Sequence, residues 1–570
     1  MHSSPLSTAR AIAIAPALLS LLLAACGGHG HDATVQAATP LTCAQLAGMT
    51  IPAASIGLPT TGATVTTATT VAASGTGVSA IGEYCLVSGN IKPVDATAPN
   101  IMFQLGLPTS WNTKVLMLGG GGFDGSIPAV TGNVPSAPID ALGPLGRGYA
   151  VFASDSGHES ASGAVDGSFS VNQEAYANFA GAALKKTRDA AIFLIKARYA
   201  VAGASESYFA GGSTGGREAL TVAQRWPADW DGVIAFYPAF DFTSVSLQQL
   251  RVTEGFAASG AYLDTAKRTV LFKTVMAACD ALDGVADGII ANVQACNASF
   301  NPSTATLNGV SLRCAGGADT GDTCLSDAQI AALNTMNTPL NFNYSLASGE
   351  TSYPGYNVYG ADLGITNASP YEAIISELSL GTTQPSFPLL ATAMFDGQIS
   401  DQFVRYTVLN DASFNSLTFD PANAGSSAAR ISQLSALDAN SADLSVFNAK
   451  GGKLLMAHGT TDMTVSTRAT EIYYQRLQNT LSAGTVSNFV RFYEIPGLQH
   501  AFSTVFNSAW DSLTALENWK EKGVAPVNQI VTDTIGIPGR TRPLCQYPSY
   551  PQFNGAGDVN AAASFTCVGS

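Results

Sequence analysis

Charged side chains are scarce in this sequence. Asp, Glu, Lys and Arg make up 12% of it, against roughly 25% in an average globular protein, so Ser, Thr, Asn and Gln must carry the surface, as in many exported proteins. The charges present lean acidic, 41 Asp and Glu against 27 Lys and Arg, for a net −14. No basic cluster is found, and an acidic chain repels phosphate backbones, which argues against nucleic acid as a partner. Histidine is rarer still, six in 570 residues, and no CxxC pair or His-rich tract is present, which argues against a cysteine–histidine metal cluster. Beyond the N-terminus, no apolar run is long enough to span a bilayer.

The N-terminus reads as an export signal. Arg10 precedes an apolar stretch from Ala11 to Ala25, too short for a membrane span. Leu23-Ala24-Ala25-Cys26, followed by Gly27 and Gly28, has the form of a bacterial lipobox. On that reading residues 1–26 form the lipoprotein signal, cleavage leaves Cys26 as the lipid-carrying N-terminus, and the protein is expected on the outer membrane, in the periplasm or outside the cell. A plain secretory peptide with an incidental cysteine is the alternative. Nine cysteines minus Cys26 leaves eight, in four sequence-adjacent couples: Cys43 and Cys85, Cys279 and Cys296, Cys314 and Cys324, Cys545 and Cys567. Closing each short loop costs least chain entropy in an oxidising compartment, so these four bridges are predicted.

Five hundred and seventy residues exceed one ordinary core. Residues 27–80, rich in Ala, Thr and Gly, read as a tether and loosely structured start. Strands and helices then alternate: 114–118 and 149–153 as buried strands, 174–199 as one long Ala-rich helix, 207–210 as a strand, and 233–237 as the next. That rhythm stops over 240–448 and resumes with a strand at 453–457, a helix at 466–477 and a strand at 490–495. The expected fold is α/β, an α/β-hydrolase sheet, mostly parallel and covered on both faces, built from 81–239 and 449–570. Residues 240–448 are expected to form a second domain inserted into the first.

Gly211-Gly212-Ser213-Thr214-Gly215 matches G-x-S-x-G between a strand and a helix, the context in which a tight turn lifts a serine above the sheet edge. The amide of Thr214 starts the helix and can donate to an oxyanion. Of the six histidines, His2, His29 and His31 lie in the leader and tether. His500 follows the strand 490–495, where this fold places its base, and Asp462 after 453–457 is the acid that orients it. His458 is an alternative base, and His158, ahead of the serine, reads as structural. Gly119 to Gly122 directly follow a strand and can bring amides close to a substrate oxygen.

Within the insert, Cys279-Asp280-Ala281-Leu282-Asp283-Gly284-Val285-Ala286-Asp287-Gly288-Ile289 crowds three carboxylates into one glycine-bent turn. Such a loop suits a hard cation such as calcium in a structural role; a solvated acidic turn is the other reading.

Together the GGSTGGREAL elbow, the CDALDGVADGII loop, HGTTD, PGLQH and RTRPLCQYP resemble the tannase and feruloyl esterase family across nearly the whole mature chain. The resemblance implies an α/β-hydrolase domain with a large lid, a lid-bound structural Ca2+, and aromatic carboxylic esters as substrates. It implies that Asp280, Asp283 and Asp287 bind calcium through carboxylates and Val285 and Ile289 through carbonyls, and that Gly122 and Thr214 supply the oxyanion amides. Two departures stand out. Most members bridge a cysteine before the nucleophile to one after the histidine; here these positions are Gly212 and Ala501, so hydrogen bonding alone is expected to hold the triad. Members that cleave terephthalate monoesters carry a Trp-rich lid segment and then a carboxylate-binding arginine. Residues 371–403 contain neither residue type, and Arg405 is the nearest cation.

The sequence therefore reads as an exported serine carboxylic ester hydrolase with Ser213, Asp462 and His500 as triad, acting on small aromatic or bulky esters, and expected to be monomeric. Acyl transfer on the same triad and a non-catalytic ligand-binding lipoprotein are the competing readings.

Overall fold

A computed structural model describes residues 39–160, 163–365 and 371–569. The leader, with the lipobox and Cys26, lies outside the described residues. From residue 40 onward the loosely structured start expected up to residue 80 is instead built into the fold. Thr42 caps a short helix, Cys43–Leu46, strand β1 is Thr50–Ile51 and strand β2 is Gly62–Val71. Five threonines and two valines suit β2 to a pleated edge region, which low complexity in the sequence concealed.

The remaining sheet strands are β3 (Tyr84–Lys92), β4 (Ile101–Pro108), β5 (Lys114–Leu118), β6 (Ala150–Ser154), β7 (Glu206–Gly212), β8 (Gly232–Phe236), β9 (Lys453–Gly459) and β10 (Val490–Ile495). They form one ten-stranded sheet in the order β1-β2-β3-β4-β6-β5-β7-β8-β9-β10. The first four strands join antiparallel through β4 to β6, and the rest run parallel. β6 and β8 are buried along their whole length, as continuous apolar runs in a doubly covered parallel sheet require.

Side chains alternate across that sheet. Val115, Met117, Phe209, Val233 and Phe492 enter one core with helices α1 (Ala183–Tyr199) and α2 (Thr214–Arg225). Leu116, Leu118, Tyr208, Ile234 and Tyr493 face the other, which also holds Leu513, Leu516 and Trp519 from the late helix Ser512–Lys522. The single long helix expected over 174–199 is broken. Gln173–Ala177 is α-helical, 178–182 is a π-turn in which Gly181 takes φ 129°, and α1 follows. A Cβ on Gly181 would lie 2.7 Å from the Thr221 methyl on α2, so the break is where two helices approach too closely for a side chain.

β8 and β9 are parallel neighbours, and the residues between them leave the sheet. This excursion is mainly helical, including α3 (Phe242–Ala257), Thr265–Cys279, Asp327–Asn337 and Phe395–Gln402. Its Leu271, Phe300, Leu333, Tyr353 and Phe403 share the first core, and Pro40–Ser570 is one compact unit. The eight cysteines of the described residues form the four short-range bridges predicted, 43–85, 279–296, 314–324 and 545–567. Four disulfides indicate an oxidising compartment, periplasmic or extracellular.

Candidate active site

Ser213 sits in the turn between β7 and α2 with φ 60° and ψ −125°, a left-handed backbone that a non-glycine residue adopts at a cost and that is held here by its surroundings. Its amide donates to Phe236 O at 3.1 Å, and its carbonyl accepts from Arg217 N at 3.0 Å and Ala239 N at 3.1 Å. The turn needs glycine at its flank: a Cβ on Gly215 would lie 2.9 Å from Gly120 O, where the elbow meets the loop after β5.

His500 and Asp462 come from the loops that follow β10 and β9. Those loops are tied together, because Thr461 donates to Leu498 O through both its amide and its hydroxyl, at 3.2 and 3.1 Å. The Ser213 hydroxyl donates to His500 Nε2 at 2.9 Å, and His500 Nδ1 donates to Asp462 Oδ2 at 2.7 Å. Asp462 Oδ1 accepts the amides of Thr464 at 2.8 Å and Val465 at 2.9 Å. Burial would raise the Asp462 carboxyl, but the His500 charge and hydrogen bonds from His458 and His500 outweigh it and hold the group below the usual carboxylate range.

His458, read from the sequence as an alternative base, is instead behind the acid. Fully buried, it donates from Nε2 to Asp462 Oδ2 at 3.1 Å and to Val465 O at 3.0 Å, while Nδ1 accepts from the Thr470 hydroxyl at 2.9 Å. The four-residue spacing in His458-Gly459-Thr460-Thr461-Asp462 was its signal. His158 stacks on Phe169 with ring centroids 3.5 Å apart, burial pushes its imidazole down to about 4, and it makes none of the triad's hydrogen bonds.

Gly122 has φ 58°, and its carbonyl accepts the Thr214 hydroxyl at 2.5 Å. Gly215 N donates to Gly120 O at 3.0 Å. The two segments nominated as oxyanion donors are therefore fastened to each other beside Ser213. Among the described residues, neither the Gly122 nor the Thr214 amide is consumed by another protein group. A hydroxyl, a base, an oriented carboxylate and two amides without a partner among the described residues can, in one place, activate a nucleophile and stabilise a tetrahedral oxyanion. A cavity of about 660 Å³ near Cys567, lined by Tyr493, Gln529, Leu544 and Phe565, contains no triad residue.

The acidic loop follows the helix Thr265–Cys279. Asp280 accepts Gly288 N at 3.1 Å and Asp283 accepts Val285 N at 3.3 Å. Asp287 accepts Ile289 N at 3.0 Å and pairs with Arg542. Asp283 is buried; burial first, then the charges of Asp287 and Asp280, push its carboxyl up to about 7. That mutual repulsion is the chemistry a hard dication relieves, so the donor types fit calcium. Among the described residues no three Asp, Glu, His or Cys side chains are already grouped to hold a metal ion, and Arg542 partly neutralises the loop. Arg405 lies in the π-turn 403–408; it donates to Asp401 at 2.8 Å and to Ala412 O.

Residues 85–568 match the tannase and feruloyl esterase family. An uncharacterized esterase of Agrobacterium fabrum is 38% identical over 92% of this chain and 93% of its own length. The mono(2-hydroxyethyl) terephthalate hydrolase of Piscinibacter sakaiensis is 31% identical over 86% of this chain and 85% of its own. Among solved structures, feruloyl esterase B from Aspergillus oryzae superposes with a TM-score of 0.70 at 25% identity, covering 92% of this chain and all of that one. With its mixed sheet, its inserted helices and this match along most of its length, the chain belongs to the tannase and feruloyl esterase family and is an ester hydrolase of the α/β-hydrolase fold.

Proposed function

We propose that the chain is an exported serine carboxylesterase that cleaves aromatic or bulky esters through an acyl-serine intermediate. The observation that carries this reading is the unbroken hydrogen-bond chain from Ser213 through His500 to Asp462. In the proposed cycle His500 Nε2 takes the Ser213 proton as Oγ attacks the ester carbonyl, and Asp462 stabilises the imidazolium that forms. The amides of Gly122 and Thr214 bind the oxyanion. His500 then returns the proton to the departing alcohol, and water, activated by the same base, releases the acid.

Similarity to a feruloyl esterase and to a terephthalate monoester hydrolase supports an aromatic acyl group. Arg405 is engaged by Asp401 and Ala412 O, which favours hydroxycinnamate or gallate esters over a substrate with a free acyl-side carboxylate. Asp280, Asp283 and Asp287, with the carbonyls of Val285 and Ile289, would hold a structural calcium, whose charge would offset the repulsion in that loop. Cys26 would anchor the mature chain by lipid. A panel of methyl ferulate, methyl gallate, a terephthalate monoester and short aliphatic esters tests the substrate reading. Selective turnover of the aromatic esters supports it, and turnover confined to short aliphatic esters overturns it. Acyl transfer is distinguished in the same assay by adding an alcohol and looking for the new ester.

A further inference from the structure

Two acids that are not part of the triad lie beneath the glycine loop after β5. Asp124 ends that loop in a left-handed backbone, φ 58°, with its amide on Gly121 O at 2.8 Å. Glu218 projects from α2, one helical turn beyond Thr214. Both are buried, at 4% and 2% exposure. Glu218 Oε2 accepts the Gly120 amide at 3.1 Å, and the Asp124 carboxyl packs against the same glycine, close enough to feel the Glu218 charge.

The fit around them is close. A Cβ on Gly119 would lie 2.8 Å from Glu218 Oε2, and one on Gly120 would lie 2.9 Å from Asp124 Cγ. The loop glycines are thus moulded onto the acid pair, and Gly122 is two residues from Asp124. Two carboxylates in contact and out of water cannot both ionise without strong repulsion, so the pair must share a proton at neutral pH. One arrangement satisfies the contacts: Asp124 keeps its proton and donates to Glu218, whose carboxylate also accepts Gly120 N–H. In agreement, burial and then the Glu218 charge push the Asp124 carboxyl well above the usual range. The charged and polar groups facing the pair are Arg217 on α2 and the Ser156 hydroxyl after β6, with His158 on the far side of Gly125. Arg217 is itself sandwiched, its guanidinium 4.0 Å from the Phe179 ring centre and 5.2 Å from that of Phe242, and it donates to Phe179 O at 2.7 Å.

We propose that Asp124 and Glu218 are positioning residues for ester hydrolysis: their shared proton clamps residues 119–122 against α2 and so aims the Gly122 amide at the oxyanion. Loss of the proton leaves two like charges under the loop and loosens the clamp. The inference rests on the serine-hydrolase reading, which Ser213→Ala tests separately in the same assay.

The decisive measurement is the pH profile of kcat and KM for methyl ferulate, or the best ester of the panel, with wild type, Asp124→Ala and Asp124→Asn. Displacing a catalytic group by an ångström costs on the order of 100-fold in rate, so Asp124→Ala should lower kcat by about 10–100-fold while KM changes little. Asn places a permanent N–H donor against Glu218, so Asp124→Asn should recover most of that loss. Wild type should also lose kcat at alkaline pH as the shared proton leaves, and Asp124→Asn should not. Wild-type kcat in folded Asp124→Ala would overturn the proposal. So would an alkaline decline that persists unchanged in Asp124→Asn, and that profile decides the matter even if the alanine variant does not fold.

Discussion

The Tyr237 ring fills the space beside Gly212 in which any side chain at that position would lie: a Cβ built there falls 2.4 Å from the ring. The same ring meets His500 edge-on with centroids 4.7 Å apart. Where other family members are expected to carry a bridge beside the triad, this chain places a buried aromatic residue, so hydrogen bonding is not alone in holding His500. A cysteine at 212 would meet this ring before it met a partner at 501. In Gly212→Cys plus Ala501→Cys the thiols should stay free by thiol titration and the melting temperature should fall; adding Tyr237→Ala should let the bridge form. Tyr237→Ala alone should cut kcat by about 10-fold through a looser His500.

His458 shares Asp462 Oδ2 with His500. Removing it leaves that oxygen with one donor and the acid freer to turn. His458→Ala should therefore lower kcat about 10-fold with KM nearly unchanged. A KM effect with normal kcat would assign His458 to the binding surface instead.

Asp241, at the start of α3, is buried with one oxygen unpartnered. Burial first, then Glu350, opposed by Arg476, push its carboxyl up to about 8, and its charge in turn helps raise the buried Asp438 carboxyl. A raised folded-state value means the unfolded chain releases this proton first. The stability it allows is present below the ordinary carboxylate range, about 4, and declines as pH rises from there to about 8. Asp241→Asn should raise the melting temperature by a few degrees at pH 8 and leave it nearly unchanged at pH 4. Equal shifts at both values would show that the Asp241 proton is not involved.

Calcium removal should act on stability before chemistry. If the acidic loop binds the ion, excess chelator should lower the melting temperature and added calcium should restore it. Identical melting curves with and without chelator would leave a loop neutralised by Arg542 and backbone amides.

The parts of this molecule that were legible in its sequence are those set by short-range patterns. The strand, glycine turn and helix around Ser213 are contiguous, three histidines sufficed to narrow the base, and each cysteine couple closes a short loop. What stayed hidden depends on contacts between distant segments. Threonine-rich β2 looks like a linker until it pairs with β3. The break at Gly181 exists because α2 crosses there. Tyr237 reads as the end of a strand and shows its place only beside Gly212 and His500, and Asp124 and Glu218 come together although 94 positions apart in the sequence.

The most direct test of the account is kcat for Ser213→Ala beside wild type on the best ester, with labelling by a fluorophosphonate probe and a melting curve to establish folding. Loss of a triad member commonly costs about 10⁴-fold or more in rate. The account predicts at least about a 10³-fold loss, abolished labelling and an unchanged melting temperature. A folded Ser213→Ala enzyme that keeps more than a few per cent of wild-type turnover, or is still labelled, would contradict it.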